Sequence, residues 1–329
     1  MRNIAKVSVC IPVYGVEKYI EKCARTLFEQ TLQEIEYIFV DDCTPDRSIE
    51  ILQNVLEDYP HRKEQVKIIR HEINQGVGAA RNHAVAACTG EYVIHCDPDD
   101  WIELDMYEVM YKKAKETNAD MVYCNYIVEY QQGIIRLKRT RFISEESEPR
   151  KILANLSVGL DCGSLWNRLY RRYIVQQIDP LLLPNEITYG EDLLHNILML
   201  PLCKKVSFVN KILYHYRRVK GSITHSKVDM RYIYGKIFIV KEIEKIPFIE
   251  IDCINKAKEN VLCEALRIGV KKSVYREVFS EWRQKTVMTN SALRIAEKSY
   301  TGAVVYMRIR EKLHFLINGL KCICNLLKK

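Results

Sequence analysis

Up to about residue 125, the chain alternates short runs of β-branched residues with amphipathic segments. This alternation is typical of βα units whose strands lie side by side in a parallel sheet. Apolar residues at three- and four-residue spacing between Val16 and Phe28 predict one face of a helix packed on that sheet. Similar helices are predicted over roughly Ser48–Asp58 and Gly76–Ala87. The predicted strands are Val7–Val13, Glu36–Asp41, Val66–Arg70, Tyr92–Cys96 and Met121–Asn125.

The residues that follow the predicted strands are small, polar or acidic. They are Pro12–Tyr14, Asp41–Asp42, Asn74–Gly76 and Asp97–Asp100. In open α/β sheets, ligands bind in the crevice beyond the carboxyl ends of the strands. Turn formation would explain any one of these ends alone, because Asp, Asn, Gly and Pro are common turn residues. Four such ends in register favour a binding site.

The segment Asp97-Pro98-Asp99-Asp100 places three carboxylates at the end of a predicted buried strand. Like charges this close repel one another, so the arrangement favours a bound cation. Carboxylate oxygens suit Mg²⁺ or Mn²⁺, which combine one or two protein carboxylates with water and substrate phosphates. The alternative is an acidic helix N-terminus, in which Asp99 and Asp100 cap a helix containing Leu104 and Met110.

Three segments together resemble the family-2 glycosyltransferases of the GT-A fold, which are inverting enzymes of bacterial polysaccharide and lipopolysaccharide synthesis. The segments are VSVCIPVYGVEKYI, EYIFVDDCTPDRS and NQGVGAARNHAVAACTGEYVIHCDPDDW. The resemblance covers roughly residues 5–225 and implies an α/β chain with a Rossmann-like mixed sheet flanked by helices. The sequence departs from the family pattern at Gly15, where Asn is common, and at Cys43-Thr44-Pro45, where Gly-Ser-Thr is usual.

The resemblance implies a nucleotide-sugar donor, with uracil as the expected base. Pro12 and Tyr14 are expected to form one wall of the base pocket, while Asp42 accepts a hydrogen bond from the base N–H. An aromatic wall and a carboxylate would select uracil by stacking and one charge-assisted hydrogen bond. Packing at the sheet edge is the alternative role for Tyr14. The resemblance assigns three further residues to the donor at the third strand end: Asn74, Gly76 and Arg81.

The resemblance also implies a divalent cation, Mn²⁺ or Mg²⁺, on the donor diphosphate. Asp97 is expected beside the ribose and the metal, and Asp99 is expected to ligate the metal. Such a cation would stabilise the negative charge that develops on the leaving diphosphate. Arg81 is expected near a phosphate or in support of the acidic cluster, and Arg217 or Lys220 is expected to reach the diphosphate.

A second acidic pair, Glu191-Asp192, follows Gly190 and precedes an apolar helical segment. On its residues alone the pair is equally typical of an ordinary helix N-terminus. The resemblance implies that Asp192 is the general base that deprotonates the acceptor hydroxyl, with Glu191 positioning the acceptor. Trp166, in the segment Trp-Asn-Arg-Leu-Tyr, is expected either to form an acceptor wall or to pack in the core.

Composition indicates an ordinary globular chain of 329 residues, with 48% hydrophobic and 28% charged residues. Collagen-like and disordered classes are thereby excluded. The twelve cysteines show no CxxC pairing and several lie in apolar runs, which predicts buried thiols in a reducing compartment. No run of about 20 uncharged apolar residues or secretory leader is visible, so we expect a cytoplasmic protein.

Charge is divided unevenly along the chain. Residues 1–200 carry 23 basic and 31 acidic side chains, whereas residues 201–329 carry 27 and 11. This asymmetry raises the expectation of an anionic partner for the second half, either nucleic acid or an acidic membrane surface. Nucleic acid is disfavoured because no recognised binding module is present. We predict a GT-A domain over residues 1–225 and a basic helical extension over residues 226–329.

The last segment of the chain has an apolar stripe with basic residues beside it. The stripe consists of Val305, Ile309, Leu313, Leu316, Leu320, Ile323 and Leu327. A helix lying in a membrane interface has this pattern, and so does a helix packed on its own domain or in a homodimer. The sequence leaves these alternatives open, so peripheral binding to the inner face of the cytoplasmic membrane is one expectation.

The sequence therefore predicts an inverting, metal-dependent glycosyltransferase. It would move a sugar from a UDP-sugar to a saccharide or lipid-linked acceptor in cell-surface polysaccharide synthesis. The alternative is a GT-A-like protein without turnover that binds sugar nucleotides or serves as a membrane scaffold. The presence of Asp97, Asp99 and Asp192 favours the enzyme.

Overall fold

The structure, a computed structural model, divides into two compact units, Met1–Ser226 and Lys227–Lys329. It describes residues 5–130, 135–138, 146–160, 163–178, 190–218, 230–285 and 291–307. Among these residues, no helix combines the length and apolarity needed to cross a bilayer.

The first unit is built on a mixed sheet in the order β3-β2-β1-β4-β9-β6-β10-β5, with β7 paired to β6 and β8 paired to β10. The strands are β1 Val7–Val13, β2 Ile35–Asp41, β3 Val66–Arg70, β4 Tyr92–His95, β5 Trp101–Ile102, β6 Met121–Tyr130, β7 Ile135–Lys138, β8 Glu146–Ser147, β9 Arg168–Arg171 and β10 Val206–Arg218. Strands β1 to β4 pair in parallel, and β6 pairs in parallel with β10. Strand β9 runs antiparallel between β4 and β6.

Helices cover both faces of this sheet. In the first unit they are α1 Ile20–Phe28, α2 Ser48–Glu57, α3 Val77–Ala86, α4 Met106–Thr117, α5 Pro149–Ser157, α6 Arg172–Val175 and α7 Glu191–Met199. Alternate residues of β1, among them Val9 and Ile11, share a buried core with α1, α2 and α4. Cys10, on the opposite face of β1, meets Cys88 just beyond α3. This alternation is the two-residue period of a strand buried on both sides.

The predicted α/β class and mixed sheet are confirmed. The first four predicted strands and the three predicted helices match the observed elements to within one residue at each end, except that the helix predicted from Val16 begins at Ile20. The predicted fifth strand continues to Tyr130. The main difference is β9, since an antiparallel strand from later in the chain separates β6 from the parallel set.

The second unit is helical and has its own apolar core. Its helices are α8 Met230–Glu244, α9 Ile251–Ile268, α10 Lys272–Lys285 and α11 Ser291–Lys298, and residues 300–307 are also helical. Leu262, Phe279 and Ala303 are among its buried core residues. Within the predicted C-terminal stripe, Val305 is half exposed, and the residues from Ile309 onward lie outside the described part of the chain.

Candidate active site

The candidate site lies at the carboxyl ends of the parallel strands. Tyr14 follows β1, Asp42 follows β2 and the acidic segment Asp97–Asp100 follows β4. Arg81 reaches this edge from α3, which begins directly after the loop that follows β3. The open end of the sheet therefore gathers residues from four separate predicted strand ends, as the pattern of polar positions indicates.

Asp100 has a structural role in the acidic segment. Its buried carboxylate accepts hydrogen bonds from the Tyr214 hydroxyl over 2.7 Å and from the Arg217 backbone N–H over 2.6 Å. Burial raises the pKa of Asp100 well above its usual value, and Asp99 and Asp97 add to this increase. Helix α4 begins only at Met106, after strand β5. The alternative in which Asp99 and Asp100 cap that helix is therefore excluded.

Asp97 and Asp99 form the part of this segment that fits a cation. Burial and then the charge of Asp97 raise the pKa of Asp99 to about 6, while Arg217 and Arg81 act in the opposite direction. A divalent cation between two mutually repelling carboxylates would relieve this conflict. Within the described residues, no three Asp, Glu, His or Cys side chains group as a metal site. Any cation here would need further oxygen ligands from phosphates or water.

Arg81 joins the two acidic motifs. Its Nη2 donates to Asp97 Oδ1 over 2.8 Å, and its Nη1 donates to Glu191 Oε1 over 2.8 Å and to Asp192 Oδ1. The guanidinium is 3% exposed, whereas the three carboxylates are 18–23% exposed. Burial lowers the pKa of Arg81, but the three carboxylates outweigh burial and raise it above its ordinary value. One cation therefore faces three carboxylates, which leaves this cluster negative.

Glu191 and Asp192 form the first turn of α7. Gly190 precedes the helix with φ +86°, a left-handed conformation that favours glycine. Burial, together with the charges of Glu191 and Asp97, raises the pKa of Asp192 to about 8 against the lowering effect of Arg81. The acidic pair does occupy a helix N-terminus, as its sequence allows, and its carboxylates also bind Arg81.

Two histidines behind this cluster were not singled out as site residues by the sequence. His95 lies on β4 and His195 on α7, with their ring centroids 6.5 Å apart. His195 Nδ1 lies 2.8 Å from the Glu191 carbonyl oxygen, one helical turn earlier. Burial lowers the pKa of His195 to about 4 and that of His95 well below its usual value. Both rings are therefore neutral near pH 7. In the sequence, the position of His95 directly before Cys96-Asp97 could have pointed to this pair.

Asp42 is buried and holds the loop that precedes α3. Its Oδ1 accepts from the Gln75 N–H over 2.8 Å and contacts His71 Nδ1 at 2.7 Å, and its Oδ2 accepts from the Gly76 N–H over 2.8 Å. Gly76 has φ +88°, so its position favours glycine. His71 is a further residue that sequence reasoning missed.

The remaining predicted donor residues lie around this edge. Pro12 is buried in β1, whereas Tyr14 is 50% exposed and Asn74 is exposed. The Arg217 guanidinium lies 5.1 Å from the centre of the Tyr19 ring and acts electrostatically on Asp99. Their contact with a donor stays a prediction. Lys220 lies outside the described residues.

Trp166 is packed among aromatic rings. It stacks on Tyr214 with ring centroids 4.2 Å apart, stacks on Tyr216 at 5.8 Å, and meets Tyr126 edge-on at 4.7 Å. Trp166 is 6% exposed. This packing corresponds to the core alternative, and contact with an acceptor stays a prediction. His215 is buried and stacks on Trp101 with ring centroids 3.3 Å apart.

Comparison with solved structures shows a shared fold. The S. aureus TarS fragment 1–349 in complex with UDP-GlcNAc matches with a TM-score of 0.68 and 20% identity, over 92% of this chain and 89% of that one. The mannosyltransferase PcManGT from Pyrobaculum calidifontis, in complex with GDP-Man and Mn²⁺, matches with a TM-score of 0.55 and 13% identity, over 94% of this chain and 87% of that one.

Sequence comparison gives the family. The putative glycosyltransferase EpsH of Bacillus subtilis is 34% identical over 220 residues, which cover 66% of this chain and 62% of EpsH. The chain spans less than two thirds of the length of the first curated relatives that it matches. The family model described as glycosyl transferase family 2 matches residues 8–179, more than half of the chain. With the acidic motifs at the ends of the GT-A sheet, this match shows that the chain belongs to glycosyltransferase family 2.

Proposed function

We propose that this chain is an inverting, metal-dependent glycosyltransferase that moves one sugar from a UDP-sugar to a saccharide or lipid-linked acceptor. The observation that carries the proposal is the shared binding of Asp97 and Asp192 to Arg81. A donor-side carboxylate and a candidate base are thereby held on one guanidinium. Family membership supports the reaction class, and the TarS complex with UDP-GlcNAc supports a UDP donor.

Asp192 is the proposed general base. Its raised pKa makes the ionised carboxylate a stronger base than an ordinary aspartate. It would take the proton of the acceptor hydroxyl while that oxygen attacks the anomeric carbon from the face opposite the leaving diphosphate. Attack from that face inverts the configuration of the sugar. Glu191, on the same guanidinium, is proposed to position the acceptor. Trp166 is also proposed as an acceptor contact.

Asp97 and Asp99 are proposed to hold the divalent cation, either Mn²⁺ or Mg²⁺. Their mutual repulsion fits a cation, and the Mn²⁺ in the PcManGT complex supports the assignment. When bound, such a cation stabilises the negative charge of a departing diphosphate. Arg217 faces Asp99 and is proposed to contact the diphosphate, as is Lys220.

The donor base is proposed to lie beyond β1 and β2. Tyr14 is half exposed, and its ring is proposed to stack on the base beside Pro12. Asp42 would accept the imide N–H of uracil. Asn74 and Gly76 would close the pocket from the loop that Asp42 already binds.

The experiment that tests this function is diphosphate release from a panel of sugar nucleotides with Mn²⁺ or Mg²⁺, with and without acceptors. We expect UDP release from at least one UDP-sugar, dependent on acceptor and abolished by EDTA. D192N serves as the inactive control. Tight UDP-sugar binding without turnover on any acceptor would instead favour the inactive sugar-nucleotide binder or membrane scaffold.

Residues 226–329 are proposed to be a basic extension that brings the enzyme to an anionic membrane surface. A cytoplasmic enzyme on the inner face of the membrane would meet both soluble sugar nucleotides and lipid-linked acceptors. The excess of basic residues after position 200 and the C-terminal stripe support this placement. A homodimer through the same stripe is the competing arrangement.

A further inference from the structure

Asp42 is held by three donors that fix its orientation. The Gln75 N–H and His71 Nδ1 share Oδ1, and the Gly76 N–H binds Oδ2. An ionised carboxylate only accepts hydrogen bonds, with about two sites on each oxygen. The carboxylate cannot rotate without losing at least one of these bonds. Oδ2 keeps capacity for one more donor.

His71 connects Asp42 to a second histidine. Its backbone N–H donates to the Asp41 carbonyl over 2.9 Å, which continues the pairing of β2 with β3. Its Nε2 lies 2.6 Å from His83 Nδ1, and the two rings meet edge-on at 89°. Because Nδ1 faces a carboxylate we assign the proton to it, and Nε2 then accepts from His83 Nδ1–H. The hydrogen bonds then run in one direction, from His83 through His71 to Asp42.

Helix α3 therefore contacts Asp42 twice. The Gly76 N–H binds it at the start of the helix, and His83 supports it through His71 two turns later. The same helix carries Arg81, which binds Asp97. The position of α3 therefore determines where two groups lie: the Asp42 carboxylate, which is proposed to bind the base, and the Arg81 guanidinium of the reaction centre.

We infer that His71 and His83 are positioning residues that hold Asp42 for uracil and set the preference for uracil over cytosine. The inference rests on the proposed UDP-sugar donor. The uracil N3–H can donate to the remaining site on Oδ2. Cytosine presents a lone pair at the corresponding N3, which the fixed carboxylate repels. Without His71, the carboxylate keeps only the Gln75 and Gly76 N–H groups and turns more readily, so this discrimination is reduced.

The test is calorimetric titration of the full chain with UDP and with CDP in the presence of Mn²⁺. H71L should weaken UDP binding by about tenfold, the value of one charge-assisted hydrogen bond. CDP binding should stay the same or become slightly tighter, because the repulsion of the cytosine N3 lone pair is relieved. H71N should restore most of the UDP affinity because the asparagine amide can replace Nδ1–H. H83L should reduce the UDP-to-CDP ratio in the same direction, by a smaller factor.

A matched control lies on the opposite face of the same strands. Arg70 Nε binds Asp41 Oδ2 over 2.8 Å, and neighbouring strand residues point to opposite faces. R70M removes that ion pair without touching Asp42 and should keep the wild-type ratio. A purely structural role for His71 would weaken UDP and CDP equally, and that result would overturn the inference. If H71L does not fold, an unchanged ratio in H83L overturns it.

D42N separates this inference from the proposed function. If D42N leaves the UDP-to-CDP ratio unchanged, Asp42 does not read the base and the inference fails. Acceptor-dependent release of UDP from a UDP-sugar would still support the glycosyltransferase. If neither UDP nor CDP binds the wild-type protein, both the proposed donor and the inference are wrong.

Discussion

Asp97 and Asp192 bind the same guanidinium although they lie on elements far apart in the chain. Asp97 follows β4 and Asp192 is in the first turn of α7, and both contact Arg81 on α3. Arg81 presents a planar fork, so each carboxylate meets a separate nitrogen. One side chain thereby fixes the distance between the donor side and the acceptor side of the proposed reaction.

Replacement of Arg81 should affect turnover through this geometry. R81K keeps the charge but offers a single ammonium, which cannot bind both carboxylates in the same arrangement. We expect turnover to fall by about 10²-fold, a loss typical of a misplaced catalytic group, while UDP still binds. R81M should also lower the urea midpoint, because three carboxylates lose their shared cation. Wild-type turnover in R81K would show that charge alone suffices at this position.

Much of the sheet could be predicted from the sequence. The β-branched runs of β1 to β4 and the three- and four-residue spacing of apolar positions in α1 are local signals, and each predicts one element. The position of β9 between β4 and β6 depends on pairing between residues far apart in the sequence. The local pattern of residues 168–171 does not predict it. The order of the sheet beyond β4 therefore had to come from the structure.

The sequence predicted the acidic motifs and placed Arg81 near a phosphate or in support of the acidic cluster, but it did not indicate which carboxylates Arg81 binds. Asp97 and Asp192 lie in recognisable segments, whereas the contact of Arg81 with both depends on how α3 and α7 pack.

The two departures from the family pattern lie where the backbone is left-handed. Gly15 and Cys43 both adopt positive φ, +68° and +56°, at positions where the family commonly has Asn and Gly. Glycine and asparagine adopt left-handed backbone readily. Cysteine does so rarely, so Cys43 is the unusual residue of the two.

Asp192 should control the pH dependence of the reaction. The group must be ionised to act as a base, and its pKa is raised to about 8, so the inactive acid form predominates below that pH. As pH falls below 8, kcat/KM should decrease about tenfold per unit. D192N should lower turnover by about 10²–10⁴ and abolish this slope, with UDP affinity near the wild-type value. Loss of donor binding with turnover preserved at saturation would make Asp192 a binding residue.

Removal of the metal should mimic removal of Asp99. EDTA should stop turnover, and added Mn²⁺ should restore it in the wild-type protein. D99N should need a higher Mn²⁺ concentration or stay inactive, because a charged ligand is lost beside the diphosphate. Diphosphate release is the measurement, with D105N as a matched control, since Asp105 pairs with Lys211 away from the acidic segment. Full wild-type activity in EDTA would refute the metal assignment.

His195 should make the fold sensitive to acid. Its folded pKa is lowered to about 4 by burial, whereas the unfolded value is about 6.5. Between these values the unfolded chain binds a proton that the folded chain excludes. The contribution of His195 to the free energy of unfolding is therefore complete above pH 6.5 and decreases as pH falls. The contribution is at most about 1.4 kcal/mol per pH unit. H195Q should reduce the difference in urea stability between pH 7 and pH 5, and equal differences in both proteins would contradict this.

The membrane proposal concerns the end of the chain and can be tested by a truncation chosen from the core of the second unit. Ala303 is fully buried in that core, so the deletion should begin at residue 308. The removed segment carries six basic residues, each worth about 1 kcal/mol near an anionic surface, beside most of the apolar stripe. Loss of residues 308–329 should release the protein from anionic vesicles and spare turnover on a soluble acceptor.

High salt should weaken vesicle binding of the full chain only in part, because salt does not screen the apolar contribution. Unchanged vesicle binding would assign the contact to the basic surface before residue 308, whereas a change from dimer to monomer would assign the stripe to a homodimer.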